Sequence, residues 1–315
     1  MANAQINNPV TAPGKWQPGD FLTTARIEAI WGYLFILPSF ALVFIFVLYP
    51  VISGFYYSLT DWNMISEPSY VGIDNYTKIL NDDLAITTIK NTIIYSGIGV
   101  PLGIIISLLL AMALNQKVRG ITFYRSAYYL PVITSTVAIS IVFRWIFNSD
   151  HGLLNQLLVQ IGIDPVRWLL DPDIALYSLV GVTVWRGLGL NMIIYLAALQ
   201  DVPKELYEAA SLDGAGAIQK FLKITVPLIT PALFFTSITG VIGSLQSFDL
   251  VYNMTEGGPG TSTYLVGYYI WQQAFSYLRM GYGAALAFVL FFVIFILTVI
   301  QWRARKAWVY GEETN

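Results

Sequence analysis

The chain has 315 residues, 56% of them apolar and only 11% charged, against roughly 25% charged in soluble domains. That balance, with a mean hydropathy of +0.61, excludes an ordinary soluble protein, and a net charge of −2 gives nucleic acid nothing to hold. The absence of cysteine and the single histidine, His151, exclude disulfides, thiolate chemistry and any His-based metal or catalytic cluster.

Residues 1–30 are polar and carry Pro9, Pro13, Gly14, Pro18 and Gly19. They read as a disordered tail and not as a signal peptide, because no short apolar core follows a basic start. A helix needs about 20 mostly apolar residues to cross the hydrocarbon core. Six stretches qualify: 31–58, 91–114, 126–147, 174–199, 230–248 and 283–302. Pro38, Pro50, Pro101 and Pro131 fall within the first three, which membrane helices tolerate when neighbouring groups satisfy the freed carbonyls. Trp31, Tyr57, Tyr128, Tyr129, Trp145 and Trp302 sit near the ends of these stretches, where amphipathic rings anchor helices at the interface.

The cations orient the chain. Lys15, Arg26, Lys117, Arg119, Arg125, Lys204, Lys220, Lys223, Arg303, Arg305 and Lys306 fall on one side; only Lys78, Lys90, Arg167 and Arg279 fall on the other. The positive-inside rule then predicts that both termini are cytoplasmic. The expected organisation is an all-α integral membrane protein of six transmembrane helices. It comprises a cytoplasmic tail (1–30), a first span and outer loop (31–86), a core of five spans (87–302) holding a long cytoplasmic loop (201–227), and a second tail (303–315).

That loop is more than a turn. Asp201 is suited to cap a helix and Pro203 to open one. Residues 204–212 are good helix formers, Gly214 suits a helix stop, and 217–223 predict a second short helix with Phe221 and Ile224 on its apolar side. Pro227 and Pro231 restrict the path back into the membrane. Two short helices at a fixed bend can transmit a push.

The segment Glu208-Ala209-Ala210, three residues, Gly214, nine residues, then Ile224-Thr225-Val226-Pro227 resembles the EAA loop of binding-protein-dependent ABC importer permeases, with Val226 in place of a leucine. The resemblance extends over about 87–302. Asn253 to Thr263 with its Gly257-Gly258-Pro259 turn, Tyr268 to Trp271, Ala274-Phe275, Trp185 with Gly187, Ser247-Phe248-Asp249, Leu130-Pro131 and Arg144 to Phe147 are similar to the carbohydrate type of that family, the maltose and glycerol-phosphate importers. It implies a type I ABC importer permease fold in the bacterial cytoplasmic (inner) membrane. It also implies the partners: a second homologous permease, two ATPase subunits that bind ATP and Mg, an extracytoplasmic solute-binding protein and a sugar-like substrate. It implies that Glu208, Ala209, Ala210, Asp213, Gly214 and Phe221 form the ATPase-coupling segment, and that Gly257, Gly258 and Pro259 help receive the binding protein; a plain exposed loop is the other reading of that turn.

The fourth and fifth spans flank the loop. Gly240, Gly243, Ser244 and Ser247 trace one small, polar helical face, suited to contacting a sugar or to close packing of helices; the resemblance favours substrate. Thr183, Arg186, Gly187 and Leu190 recur at similar spacing. A cation at the depth of Arg186 costs about 2.5 kcal/mol or more on insertion scales, so it faces protein or a watery cavity, as a substrate contact or as the partner of a backbone carbonyl, Asp249 or Gln246. Arg144, near an end of the third span, is placed to snorkel.

The chain has no Gly-rich phosphate-binding loop ending in Gly-Lys-Ser/Thr, so ATP hydrolysis belongs to another chain and no catalytic residue, cofactor or metal is expected here. An intramembrane enzyme would need paired titratable groups at membrane depth, and only Arg186 is found there. An ion-coupled carrier would show repeats and intramembrane acids and would leave the loop unexplained. A permease for a non-carbohydrate solute is the alternative within the family.

Overall fold

A computed structural model of the chain describes residues 24–116 and 119–310. The chain divides into two compact units, Met1–Gly54 and Phe55–Asn315. In the first, α1 (Thr24–Val43) runs through one π-helical turn (Phe44–Leu48) into α2 (Tyr49–Ser58), whose last turn begins the second unit. The Tyr49 N–H reaches back five residues to the Phe44 carbonyl just before Pro50, which has no N–H to offer. Residues 24–30, expected as tail, are therefore helical, because Arg26 and Glu28 are good helix formers; the rest of that tail lies outside the described residues, as does Lys117. The apolar side chains from Ile30 to Ile52 are largely exposed, as a lipid-facing helix requires.

The second unit opens with a short hairpin, β1 (Thr60–Asp61) against β2 (Ser69–Tyr70), Thr60 opposite Tyr70. Then α3 (Asp74–Leu80) leads into α4 (Asp83–Leu114), eight residues longer at its start than the predicted span. Asp82 starts it: its Oδ1 accepts from the Leu84 and Ala85 N–H groups at 2.9 and 3.2 Å, the usual N-cap arrangement.

The third predicted span is not one helix. α5 (Ile121–Ile133) and α6 (Thr136–Ile146) meet at 102°. Pro131 and the extended Thr134, with ψ 140, end α5, and the Thr134 hydroxyl donates to the Leu130 carbonyl at 2.8 Å. Next come α7 (Leu153–Gln160) and α8 (Ala175–Gln200). α5 crosses α8 so closely that a Cβ on Gly189 would lie 2.2 Å from the Tyr128 carbonyl oxygen.

After α8 come α9 (Lys204–Leu212) and α10 (Ala217–Lys220), then a π-helical turn (Phe221–Thr225), α11 (Val226–Leu228) and α12 (Thr230–Leu245). The stretch 217–228 bends by 66° into α12. Pro231 cannot donate to the Pro227 carbonyl, and the Thr230 hydroxyl does so in its place at 2.6 Å. The fifth span stops at Leu245, short of the expected Phe248, and a new short helix, α13 (Asp249–Met254), follows. α14 (Val266–Trp271), a π-helical turn (Gln272–Ser276) and α15 (Met280–Trp308) complete the unit. Residues 303–308 of the expected carboxyl tail are thus helical, and beyond them the Tyr310 N–H donates to Thr230 Oγ1 at 2.9 Å. The end of the described chain and the 201–229 segment therefore share one end of the bundle.

Among the described residues, four helices are long and apolar enough to cross a membrane, and six spans result if each bent pair counts as one. The α4–α8–α12 centre has two apolar cores at different heights. One gathers Tyr95, Leu179, Val182, Val251 and Leu265; the other gathers Ala111, Met192, Tyr195, Leu199 and Ile229.

Candidate functional site

Between those cores, along the shared helices, lies a cavity of about 500 Å³. α4 contributes Tyr95 to Ile104, α8 contributes Thr183 to Asn191, and α12 with the break after it contributes Thr236 to Leu250. All eight residues singled out on the fourth and fifth spans line it: Thr183, Arg186, Gly187, Leu190, Gly240, Gly243, Ser244 and Ser247.

They do not play one part. A Cβ on Gly240 would meet Val100 at 3.2 Å, and Ser244 is buried with its hydroxyl 2.6 Å from that of Ser96, so these two residues join α12 to α4. A Cβ on Gly187 or Gly243 would have nothing within 4 Å, so both glycines leave their faces of the cavity open. Thr183 Oγ1 lies 2.5 Å from the Tyr95 hydroxyl, which is also 3.2 Å from Ser247 Oγ. One phenol thus ties α4 to α8 and to the break after α12.

Sequence reasoning missed Tyr95, Asn191, Thr239 and Asp249 as lining residues. The signal for α4 was present: Asn91, Thr92, Tyr95, Ser96, Gly103 and Ser107, all buried, follow a helical three-four spacing. Asp249, named from the sequence as a candidate partner of Arg186, faces the same cavity because ending α12 at Leu245 turns the chain. Arg186 is half-buried and, among the described residues, makes no hydrogen bond or ion pair with Asp249 or Gln246. The cavity wall therefore sets hydroxyls, amides, one cation and one anion among apolar side chains such as Val100, Ile104, Val132, Val184 and Leu190.

The second element of the site is the segment after α8. Asp201 closes α8 as its C-cap instead of opening α9, whose N-cap is Pro203, since Asp201 still has helical dihedrals. At the far end of α9, Ala215 N–H donates to Ala210 O at 2.8 Å and Gly214 N–H to Ser211 O at 3.1 Å. This six-to-one and five-to-two pattern needs a left-handed residue at Gly214, and its φ is +78°. The Gln219 side chain then accepts from the Gly216 N–H at 3.0 Å to start α10. Tyr207 OH and Thr225 Oγ1 lie 2.8 Å apart, and Phe221 and Tyr207 pack on the core below. The two helices are thereby fixed to each other and to α8 and α12. Glu208, Ala209, Asp213 and Gly214 are exposed, Ala210 and Phe221 half-buried. Leu212 is 91% and Ile218 74% exposed.

The third element is the Gly257-Gly258-Pro259 turn. Gly257 has φ +86° and is buried; a Cβ there would lie 2.3 Å from the Tyr264 ring. Thr263 Oγ1 donates to the Gly258 carbonyl at 2.7 Å, and Asn91 Nδ2 donates to the Thr261 and Tyr264 carbonyls at 3.0 and 3.1 Å. The turn is held on α4, and Glu256 and Gly260 are its exposed residues, Gly258 and Pro259 half-buried. Nearby, Asp82 Oδ2 accepts from Tyr269 at 2.5 Å and from Tyr282 at 2.6 Å. Burial would raise this carboxyl, but those two bonds and the Ala85 and Leu84 N–H groups hold it below its ordinary 3.8.

Residues 99–305 match the family described as binding-protein-dependent transport system inner membrane component. The chain is 37% identical over 87% of its length to the lactose transport system permease protein LacF of Rhizobium radiobacter, covering 94% of that protein. It is 38% identical over 85% to the arabinooligosaccharides transport system permease protein AraP of Bacillus subtilis, covering 86% of it. Its fold resembles a chain in the crystal structure of a bacterial alginate ABC transporter in complex with an alginate pentasaccharide-bound periplasmic protein, with a TM-score of 0.79 and 23% identity over 90% of this chain and 96% of that one. With an all-helical core, a cavity lined by hydroxyl and apolar side chains and a rigid exposed helix pair, this chain belongs to the inner membrane components of binding-protein-dependent ABC transport systems, as a permease subunit and not an enzyme.

Proposed function

We propose that this permease carries a sugar-like solute into a bacterial cell through the α4–α8–α12 cavity, by alternating access driven from the α9–α10 segment. The observation that carries the reading is continuity. The helices that wall the cavity, α8 and α12, are the same helices that end in the exposed, braced helix pair, so a displacement of the pair is felt at the cavity wall. Hydroxyls and amides set among apolar side chains suit a polyhydroxylated solute, whose rings carry both O–H groups and C–H faces, and the transport systems named for the relatives handle lactose and arabinooligosaccharides.

In this reading the chain sits in the bacterial cytoplasmic membrane with both termini and α9–α10 inside. A second homologous permease supplies the other half of the pathway. Two ATPase subunits bind ATP and Mg and grip Glu208 to Phe221. A loaded binding protein docks at the end bearing Gly257, Gly258 and Pro259; the half-buried Gly258 and Pro259 with exposed Glu256 and Gly260 present that surface, and Gly257 sets its shape. Closure of the ATPases opens the cavity outward, and hydrolysis resets it inward. Thr183, Arg186, Gly187, Leu190, Gly243 and Ser247 border the solute, while Gly240 and Ser244 hold α12 against α4. A non-carbohydrate solute is the second reading, because Arg186 brings a cation to the cavity wall.

The test is solute-stimulated ATP hydrolysis and uptake in liposomes holding the full importer, with Glu208→Ala and Gly214→Pro beside the wild type. Proline cannot adopt the φ of +78° found at Gly214. Both variants are expected to assemble and to lose stimulation, Gly214→Pro by tenfold or more, where tenfold represents ~1.4 kcal/mol. Normal uptake by both variants would remove the coupling role from this segment.

A further inference from the structure

We propose that α13 and the rings behind it form a second carbohydrate subsite at the rim of the cavity, holding a further sugar ring on Tyr252 and Asp249, so that the solute is an oligosaccharide or glycoside. The inference rests on the sugar reading above and deepens it.

Phe248 and Asp249 belong to the cavity wall, and Tyr252 follows Asp249 by three residues, on the same helix face. The Tyr252 side chain is 40% exposed. Its ring is nevertheless held: Phe248 stacks on it at 5.3 Å and Trp271 meets it edge-on at 4.8 Å. Tyr268 supports both from behind, at 6.4 and 5.9 Å. A cluster built only for packing would close over its outer ring. Here the outer ring is rigid and open. Its hydroxyl, the Trp271 N–H and the Asp249 carboxylate have no partners among the described residues.

This combination selects the occupant. A carboxylate within an aromatic surface opposes a lipid chain or an apolar helix, since burying it unpaired is costly. A pyranose or furanose fits both parts: its C–H face lies on an aromatic ring and its hydroxyls donate to a carboxylate in strong, charge-assisted bonds. Continuity through Phe248 and Asp249 means that one solute can occupy cavity and rim together only if it is longer than one sugar ring.

The experiment uses the full importer in liposomes at saturating binding protein, measuring maximal uptake of glucose, galactose, lactose and maltotriose. Tyr252→Ala is expected to slow the longest sugar carried about three- to tenfold and a shorter one less than about twofold, as loss of a ring stack predicts. Tyr252→Phe should retain most uptake and Asp249→Asn should lose several-fold. Equal losses for every sugar carried would overturn the subsite. Loss of co-purifying subunits in Tyr252→Ala would overturn it too, by assigning the ring to an interface with the second permease. If the wild type carries none of these sugars, the sugar reading itself fails, and the subsite with it.

Discussion

Asp82 shows how a single carboxylate fixes three pieces of chain. One oxygen caps α4 and the other accepts from Tyr269 and Tyr282, which lie 187 and 200 residues away. The cap was legible in principle from an acid just before an apolar run; the tyrosine bonds were not, because nothing local encodes contacts at that separation. Asp82→Ala removes cap and acceptor together and should lower stability by about 1–3 kcal/mol, read as a lower melting temperature in detergent. Because the folded carboxyl titrates below its ordinary value of 3.8, its contribution is complete above 3.8 and is lost as pH falls through the lowered folded value. Asp82→Asn should therefore lose the part of acid destabilisation that the wild type shows below 3.8; an unchanged acid limb would show that Asp82 does not govern it. Gly214 is the contrasting residue. Its left-handed role was plain from sequence because a helix stop depends on its own few neighbours.

At the scale of elements, the prolines were visible and their consequences were not. Pro131 was read as a tolerated interruption and Pro231 as a restriction on the path back into the membrane, and the paths beside them bend by 102° and 66°. In each case a threonine hydroxyl satisfies a carbonyl at the break. Two π-helical turns end two residues before Pro50 and Pro227, a register shift that hydropathy cannot display. α9 was predicted to its ends because propensity and glycine stop agree there, although its N-cap is Pro203 and not Asp201. Its exposed apolar residues carry a prediction of their own. Leu212→Ser and Ile218→Ser remove side chains that the isolated subunit leaves open, so helicity and melting should hold within about 0.5 kcal/mol. Each should cost about 1.5–3 kcal/mol if the residue is buried against the ATPase, seen as a loss of co-purified ATPase of about tenfold or more. Undiminished capture by both variants would mean that another surface holds the ATPase.

For the whole molecule, six apolar stretches and one loop were enough to state the architecture, since the spans and the α9–α10 segment are written in consecutive residues. The cavity was only half legible. Its α8 and α12 walls follow from small and polar residues at helical spacing, but the α4 wall and Asp249 depend on which helices meet and on where the fifth span stops. Two apolar cores lie on either side of the cavity along the same helices, and in the proposed mechanism each seals the end it occupies while the other end opens. Gly243 lies between them, with open space where a side chain would start, and the chain contains no cysteine. A single Gly243→Cys thiol in the full importer is therefore a unique reporter on this chain. The decisive measurement is its labelling by a membrane-impermeant thiol reagent applied from either face of the membrane, with and without trapped ATP. Alternating access through this cavity predicts labelling from the α9–α10 side without nucleotide and from the opposite side with ATP trapped. Labelling from the same side in both states would contradict it.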